Sequence, residues 1–151
     1  MAQNGYRDDL KGTSWLGRVV DVDDPMKLGR VRVQVMGKFD EIPVEDIPWA
    51  RPATSVTFGS ESGGGFMSVP KKGSIVEVEF SNGDLYHPEY RFAQEISKEV
   101  RDEAADSYAN SHFILYDTVT DGSVKVFFTE KKGLVLSYKG SVIRIANDEE
   151  I

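Results

Sequence analysis

The sequence contains no cysteine. A disulfide framework and a thiolate metal centre are therefore excluded. Histidine is scarce: His87 and His112 are the two in 151 residues, and they share no local motif. Structural roles are expected for both, rather than a metal pair. No run comes near the roughly 20 consecutive apolar residues of a membrane-crossing helix. The first residues, Met1-Ala2-Gln3-Asn4-Gly5, lack a basic segment followed by an apolar one, so no secretory leader is expected there. On these grounds the chain is expected to be made and kept in a cytoplasm until something carries it out. Positive charge is also in deficit. There are 18 Lys and Arg against 25 Asp and Glu, a net charge of −7. An acidic chain repels phosphate backbones on average. Arg18, Arg30, Arg32 and Lys38 form the one basic cluster. It reads as the solvated outer face of a β-hairpin, with a polyanion site as the alternative.

The arrangements that catalysis uses are missing too. There is no nucleophile elbow, no H-E-x-x-H and no dinucleotide fingerprint. Gly59 and Gly64 have the separation of a phosphate loop, but Gly65-Phe66 stands where Lys-Ser/Thr is required. Asp21, Asp23 and Asp24 resemble a calcium loop only superficially, because the later glycine and distal glutamate are out of register. Carboxylates are plentiful, yet no segment marks a pair held at a glycosidase separation. A non-enzyme without cofactor or metal is expected.

What the sequence does have is alternation. Hydrophobic residues make up 40% of it, enough for a packed core. The organising stretch runs from Trp15 to Gly37. Two alternating runs, Leu16–Val22 and Leu28–Val35, flank a polar break at Asp23–Lys27. Val31, Val33 and Val35 face one way; Arg30, Arg32 and Gln34 face the other, as in a half-buried antiparallel strand. Pro25 cannot donate to a ladder, so the break is a turn. Ile47–Pro52 is a short third strand bracketed by prolines, expected at an edge or barrel corner, with Trp49 packed on the barrel end. Residues 53–72 form a long glycine-containing connection expected to be a flexible loop, with a partner-docking loop carrying Phe58, Phe66 and Met67 as the alternative. Ser74–Phe80 alternates again, Ser81-Asn82-Gly83-Asp84 supplies an Asn-Gly hairpin turn, and Leu85–Phe92 returns. Five strands in this span suit an oligonucleotide/oligosaccharide-binding (OB) barrel, with an SH3-like barrel as the alternative.

The expected organisation has four parts: an arm at 1–13, a barrel at 14–96, a linker or short helix at 97–110, and a β-rich segment at 111–151. The arm is polar and read as loose or ordered by a partner. Ser97 can cap a helix and Ala104-Ala105 can propagate one, but few apolar residues are there to seat it. The last part has four short strands at a regular spacing, with turns at Asp121-Gly122, Lys131-Lys132-Gly133 and Lys139-Gly140. Such a sheet is marginal alone and is expected to pack on the barrel or to associate with copies of itself, the linker favouring the second. Val124, Val126, Phe128, Leu134, Leu136, Ile143 and Ile145 are the candidate residues for packing against other copies.

Asp24-Pro25-Met26-Lys27-Leu28-Gly29-Arg30-Val31-Arg32-Val33, followed by Ile47-Pro48-Trp49, resembles the N-terminal OB domain of the baseplate central spike protein of T4-like contractile-tailed phages. Valine-glycine repeat spike proteins of type VI secretion share that domain. The resemblance covers residues 14–93 and extends loosely to 111–147. It marks Asp24, Pro25, Lys27, Leu28, Gly29, Arg30, Val31, Pro48 and Trp49 as structural residues of the motif. It implies an all-β chain whose OB barrel is followed by an intertwined trimeric β-prism, or β-helix. It also implies a homotrimer that docks on the tail hub protein, sits in the virion tail baseplate and touches the host envelope transiently as it punctures it. The protein would be synthesised in the host cytoplasm. No lysozyme-like domain and no His-x-His tip motif is found, so cell-wall cleavage and a metal-capped needle do not carry over. A separate spike-tip protein or a minimal spike are the two ways of completing it. An OB module for nucleic acid or glycan is the competing reading, and an envelope-degrading enzyme a third.

Overall fold

The computed structural model describes residues 8–53, 67–93, 96–119 and 122–146. The chain divides into two compact units, Met1–Gln94 and Glu95–Ile151. The expectations placed on 53–72, other than at its two ends, and on residues 1–7, Asp121 and 147–151 lie outside the described residues.

The first unit is a closed five-stranded barrel. Its strands are β1 (Ser14–Asp21), β2 (Val31–Val35), β3 (Trp49–Pro52), β4 (Ile75–Phe80) and β5 (Pro88–Phe92). They run in the order β1-β2-β3-β5-β4, and β1 pairs with β4 to close the ring. Every pairing is antiparallel except β3 with β5. This is an OB-type barrel. Period-2 alternation builds its core: Val31, Val33 and Val35 of β2 meet Val76, Val78 and Phe80 of β4, with Val19, Ala50 and Tyr90. Phe39 packs edge-on against Phe80, ring centroids 5.7 Å apart. At Gly17 the strongly coiled β1 passes so close to β2 that a Cβ would strike the Val33 side chain and come within 3.0 Å of the Gln34 carbonyl oxygen.

Four expectations shift here. β2 begins at Val31 rather than Leu28, because the chain from Asp24 to Arg30 is folded on the Asp24 carboxylate. Of the two places expected for β3, the edge is excluded, because the strand pairs with β2 on one side and β5 on the other within the closed ring. The Asn-Gly turn forms with both residues at positive φ, 54° at Asn82 and 77° at Gly83. A second turn then follows, with His87 N–H donating to the Asp84 carbonyl, so β5 starts at Pro88 instead of Leu85. The fourth shift concerns the arm, which is not loose at its inner end. A 3-10 turn at Asp8–Leu10 places Leu10 in the barrel core with none of its surface exposed.

The second unit holds helix α1 (Lys98–Ala104), 3-10 turns through Ala105–Asn110, and an antiparallel sheet β6 (Ser111–Val119), β7 (Gly122–Thr129), β8 (Gly133–Tyr138) and β9 (Ser141–Ile145). Ser97 caps α1 by accepting from the Val100 N–H at 3.3 Å. Residues 97–110 are therefore more than a linker. Ala104 is buried, α1 packs against β6, and Glu103 accepts from Lys125 on β7 at 3.0 Å and Lys132 at 2.6 Å. Phe127, Thr129 and Val135 are buried on the sheet face that carries Lys125. Gly133 is required at the start of β8. Its φ is +70°, and a Cβ there would fall on the Ile145 carbonyl oxygen. The four strands form one meander within the single chain.

Candidate functional site

The motif Asp24–Val31 closes on one carboxylate. Asp24 is 5% exposed. Its Oδ1 accepts from the Met26 N–H at 3.0 Å and from Arg30 Nε at 3.1 Å and a terminal guanidinium nitrogen at 2.6 Å. Its Oδ2 accepts from Leu28 N–H at 2.8 Å and Arg30 N–H at 3.3 Å. The short spacing makes this possible: Pro25 starts the turn, Lys27 (φ 57°) and Gly29 (φ 73°) bend the chain back, and Arg30 returns beside Asp24. The Arg30 guanidinium holds the Asp24 carboxyl well below the usual carboxylate range, against the opposing effect of burial, and three backbone N–H groups assist. Arg30 is raised in turn by Asp24. The buried Tyr90 hydroxyl of β5 donates to the Gly29 carbonyl at 2.7 Å and ties the loop to the far side of the barrel.

The same arginine borders Trp49. The guanidinium of Arg32 lies 4.7 Å from the Trp49 ring centroid and that of Arg30 lies 5.8 Å away. Arg32 also donates to the Val44 carbonyl at 2.7 Å and sits 3.8 Å from Asp21. The basic cluster is thus not a freely solvated face, since Arg30 and Arg32 are half-buried and committed within the barrel. Trp49, half-buried, pairs with Arg32 across β2 and β3 and alternates with the buried Ala50. Nor is the Asp21–Asp23–Asp24 run a ready ligand set, because Asp24 has both oxygens engaged.

Among the motif residues, Asp24, Gly29 and Val31 are buried, Arg30 and Trp49 half-buried, and Pro25, Lys27 and Leu28 exposed. Pro48, half-buried, leads into β3. Met26 and Leu28 expose 62% and 54% of their surface on a loop whose backbone is fully determined beneath them.

The second locus is the sheet. Its register pairs Val124 with Tyr138, Val126 with Leu136, Phe128 with Leu134, Leu134 with Ile145, and Leu136 with Ile143. All seven candidate packing residues of the sequence reading consequently share one face. That face is opposite the one on which Glu103 joins Lys125. Leu136, Ile143 and Ile145 are exposed on it, the last two by 65% and 63%. Val124, Val126, Leu136, Tyr138 and Ile143 line a shallow hollow there.

Sequence reasoning missed three anchoring residues. Tyr90 and Glu103 carry ordinary strand and helix signals. Asp84 orders the β4–β5 connection: it accepts from the Tyr86 N–H at 2.9 Å and faces His87 Nδ1 at 2.6 Å. The Tyr86 N–H, and then His87, draw its pKa down. Its signal in the sequence is an Asp directly after Asn-Gly, a residue type that bonds backbone N–H groups two residues on.

A comparison with curated proteins found no match. A family-level comparison did: residues 15–91 match the type VI secretion system/phage-baseplate injector OB domain. The matched span begins in β1 and ends in β5, so it is the closed barrel with its Asp24 loop. With barrel, motif and match coinciding over half of the sequence, the chain belongs to the type VI secretion system/phage-baseplate injector OB-domain family.

Proposed function

We propose that this chain is a non-enzymatic central spike component of a contractile-tail baseplate, acting in the virion tail as a homotrimer that docks on the tail hub and helps pierce the host envelope. Family membership supports the baseplate role. The observation that carries the trimer is the tail sheet: seven apolar residues, Val124 to Ile145, lie on one face while α1 occupies the other. An apolar face of this kind is stable when copies hide it against one another. The outer edges of β6 and β9, which have no partner strand among the described residues, offer further pairing between copies. On this reading the motif residues from Asp24 to Val31, with Pro48 and Trp49, keep the barrel rigid, and residues 111–151 build the spike. A separate tip protein completes the needle. The OB-ligand reading is weaker, because Trp49 is already flanked by Arg30 and Arg32.

The test is the solution mass of the whole chain by light scattering behind a sizing column. Three chains of 16.8 kDa give 50.4 kDa. A double variant, Leu136→Lys with Ile143→Lys, is expected to run as monomer. Val142→Lys, exposed by 61% on the opposite face, is expected to stay trimeric. A wild-type monomer at high concentration, or a trimer indifferent to the double variant, removes the reading.

A further inference from the structure

The turn between β4 and β5 carries an asparagine followed by glycine, the dipeptide most prone to deamidation. Asn82 is exposed, and the amide that attacks it belongs to Gly83, which has no side chain to block the approach. The reaction has two steps. The Gly83 backbone nitrogen attacks Cγ of Asn82, and the side-chain nitrogen leaves as ammonia, taking up the Gly83 proton as the new N–Cγ bond forms. Water then opens the five-membered imide at either carbonyl. The product is aspartate or isoaspartate, with no change in oxidation state.

The folded turn opposes the first step in two ways. Closing the imide brings Cβ, Cα, C and the Gly83 nitrogen into one plane, which for an L-residue needs ψ of about −120°. Asn82 stands at ψ 21°, so the nitrogen lies on the far side, roughly 140° of rotation away. Gly83 is also buried, away from the base that must remove its proton. Bonds on both sides resist the rotation. Asp84 N–H donates to the Ser81 carbonyl at 3.0 Å, and Ser81 N–H donates to the His87 carbonyl at 3.1 Å. The buried Asp84 carboxylate accepts from the Tyr86 N–H at 2.9 Å and meets the His87 ring at 2.6 Å. The Asp8–Leu10 turn lies against Ser81–Gly83, with Leu10 wholly buried.

We infer that Asn82 is a deamidation site guarded by the fold, with Leu10 as part of the guard. Where this end of the barrel opens, position 82 reacts, and the product closes poorly. Isoaspartate adds one carbon to the backbone of a turn whose two ends are bonded to each other. Either product sets a new carboxylate two residues from the buried one of Asp84, and like charges so placed repel. A transient opening thus becomes a permanent mark on a loosened chain. The inference uses neither the trimer nor the baseplate role.

The whole chain is incubated in mildly alkaline buffer. Position 82 is followed by peptide mapping with mass spectrometry, which separates it from the Asn4-Gly5 pair. A synthetic peptide of residues 78–87 gives the unguarded rate. The folded chain is expected to react at least about tenfold more slowly than the peptide, a ratio set by the fraction of open turns. Leu10→Ala should raise the rate in the folded chain by roughly tenfold, and the milder Leu10→Val by less. Leu16→Ala, at an exposed site, should leave it unchanged. The isoaspartate form, isolated by ion exchange, should unfold at lower urea than the intact chain. A folded chain that reacts at the peptide's rate overturns the proposal, and this comparison needs no variant. Leu10 variants no faster than the unsubstituted chain overturn it too, Leu10→Val carrying the comparison if Leu10→Ala does not fold. So does an equal acceleration by Leu16→Ala, or an unchanged urea midpoint of the isoaspartate form.

Discussion

Leu10 provides a direct test of where the barrel begins. Its side chain is wholly buried among the barrel core residues although it precedes the first strand by several residues. Leu10→Ala deletes three buried carbons and leaves a void in the core beside the Ser81–Gly83 turn, which the Asp8–Leu10 turn contacts, and the surroundings relax into such a void only in part. Substitutions of this kind cost about 3 kcal/mol, within a range of roughly 2–5. For a unit of this size that corresponds to a fall in melting temperature of roughly 12–24 °C. The assay is urea unfolding followed by tryptophan fluorescence. Both tryptophans, Trp15 and Trp49, lie in the first unit, so the signal reports the barrel alone. The reference is Leu16→Ala, a leucine exposed by 53% on the outer wall, expected to change stability by no more than about 0.5 kcal/mol. The slope of free energy against urea should be unchanged in both. A Leu10→Ala loss below about 1 kcal/mol, or one equal to that of Leu16→Ala, refutes the reasoning: residues 8–12 would then be a detachable arm.

Tyr90→Phe leaves the buried Gly29 carbonyl without its donor and should cost the barrel about 1–3 kcal/mol, read by the same unfolding curve. Gly133→Ala and Gly140→Ala both place a side chain at positive φ, but only the first also collides with backbone. Gly140→Ala should cost about 1 kcal/mol of αL strain, and Gly133→Ala clearly more, measured by amide exchange in β8 and β9. Acid should release α1 before the Asp24 loop. Burial raises the Glu103 pKa, but Lys132 and Lys125 outweigh it and leave the folded value below the ordinary 4.5. The contribution of the Glu103 pairs with Lys125 and Lys132 is therefore complete above about pH 4.5 and is lost as pH falls through the lower folded value. Asp24 has the same sign, but its loss begins below the ordinary 3.8 and ends in far stronger acid. NMR signals of Ala104 should consequently shift at a higher pH than those of Leu28, and the reverse order would contradict the assignment.

Much of the barrel was legible because its signals are local. Strand β2 shows perfect alternation, and its three valines are buried as that alternation demands. The Asn-Gly turn is where the dipeptide places it, since few other residues tolerate two positive φ values in succession. The tail cadence is of the same kind: short apolar runs between glycine turns, each pairing with the next. What could not be read were the events that depend on distance in space. Nothing local marks Leu10 as a core residue, because its neighbours are polar and its partners lie far along the chain. Nor does any pattern announce that the sparse apolar content of α1 is compensated by one carboxylate bonding two lysines across the sheet.

The motif shows the limit most clearly. In sequence, Asp21, Asp23 and Asp24 are alike, and an acidic run normally faces solvent. Only Asp24 is buried, and the reason is the geometry of residues 25–30: Pro25 turns the chain, Lys27 and Gly29 reverse it, and Arg30 arrives in register to neutralise the charge. A buried carboxylate without that arginine would be costly; with it, the carboxylate can organise three backbone N–H groups at once. The motif is thus a closed clasp rather than a ligand set, and its residues divide by role. Asp24, Gly29 and Arg30 make the clasp. Met26, Lys27 and Leu28, which take no part through their side chains in the bonds that shape it, are left facing outward. Asp24→Asn separates these roles. It keeps every outward side chain but removes the charge that answers Arg30, so the barrel should lose about 1–3 kcal/mol in urea unfolding, while Leu28→Ala should lose no more than about 0.5 kcal/mol. Equal losses from the two substitutions would mean that the carboxylate does not hold the loop.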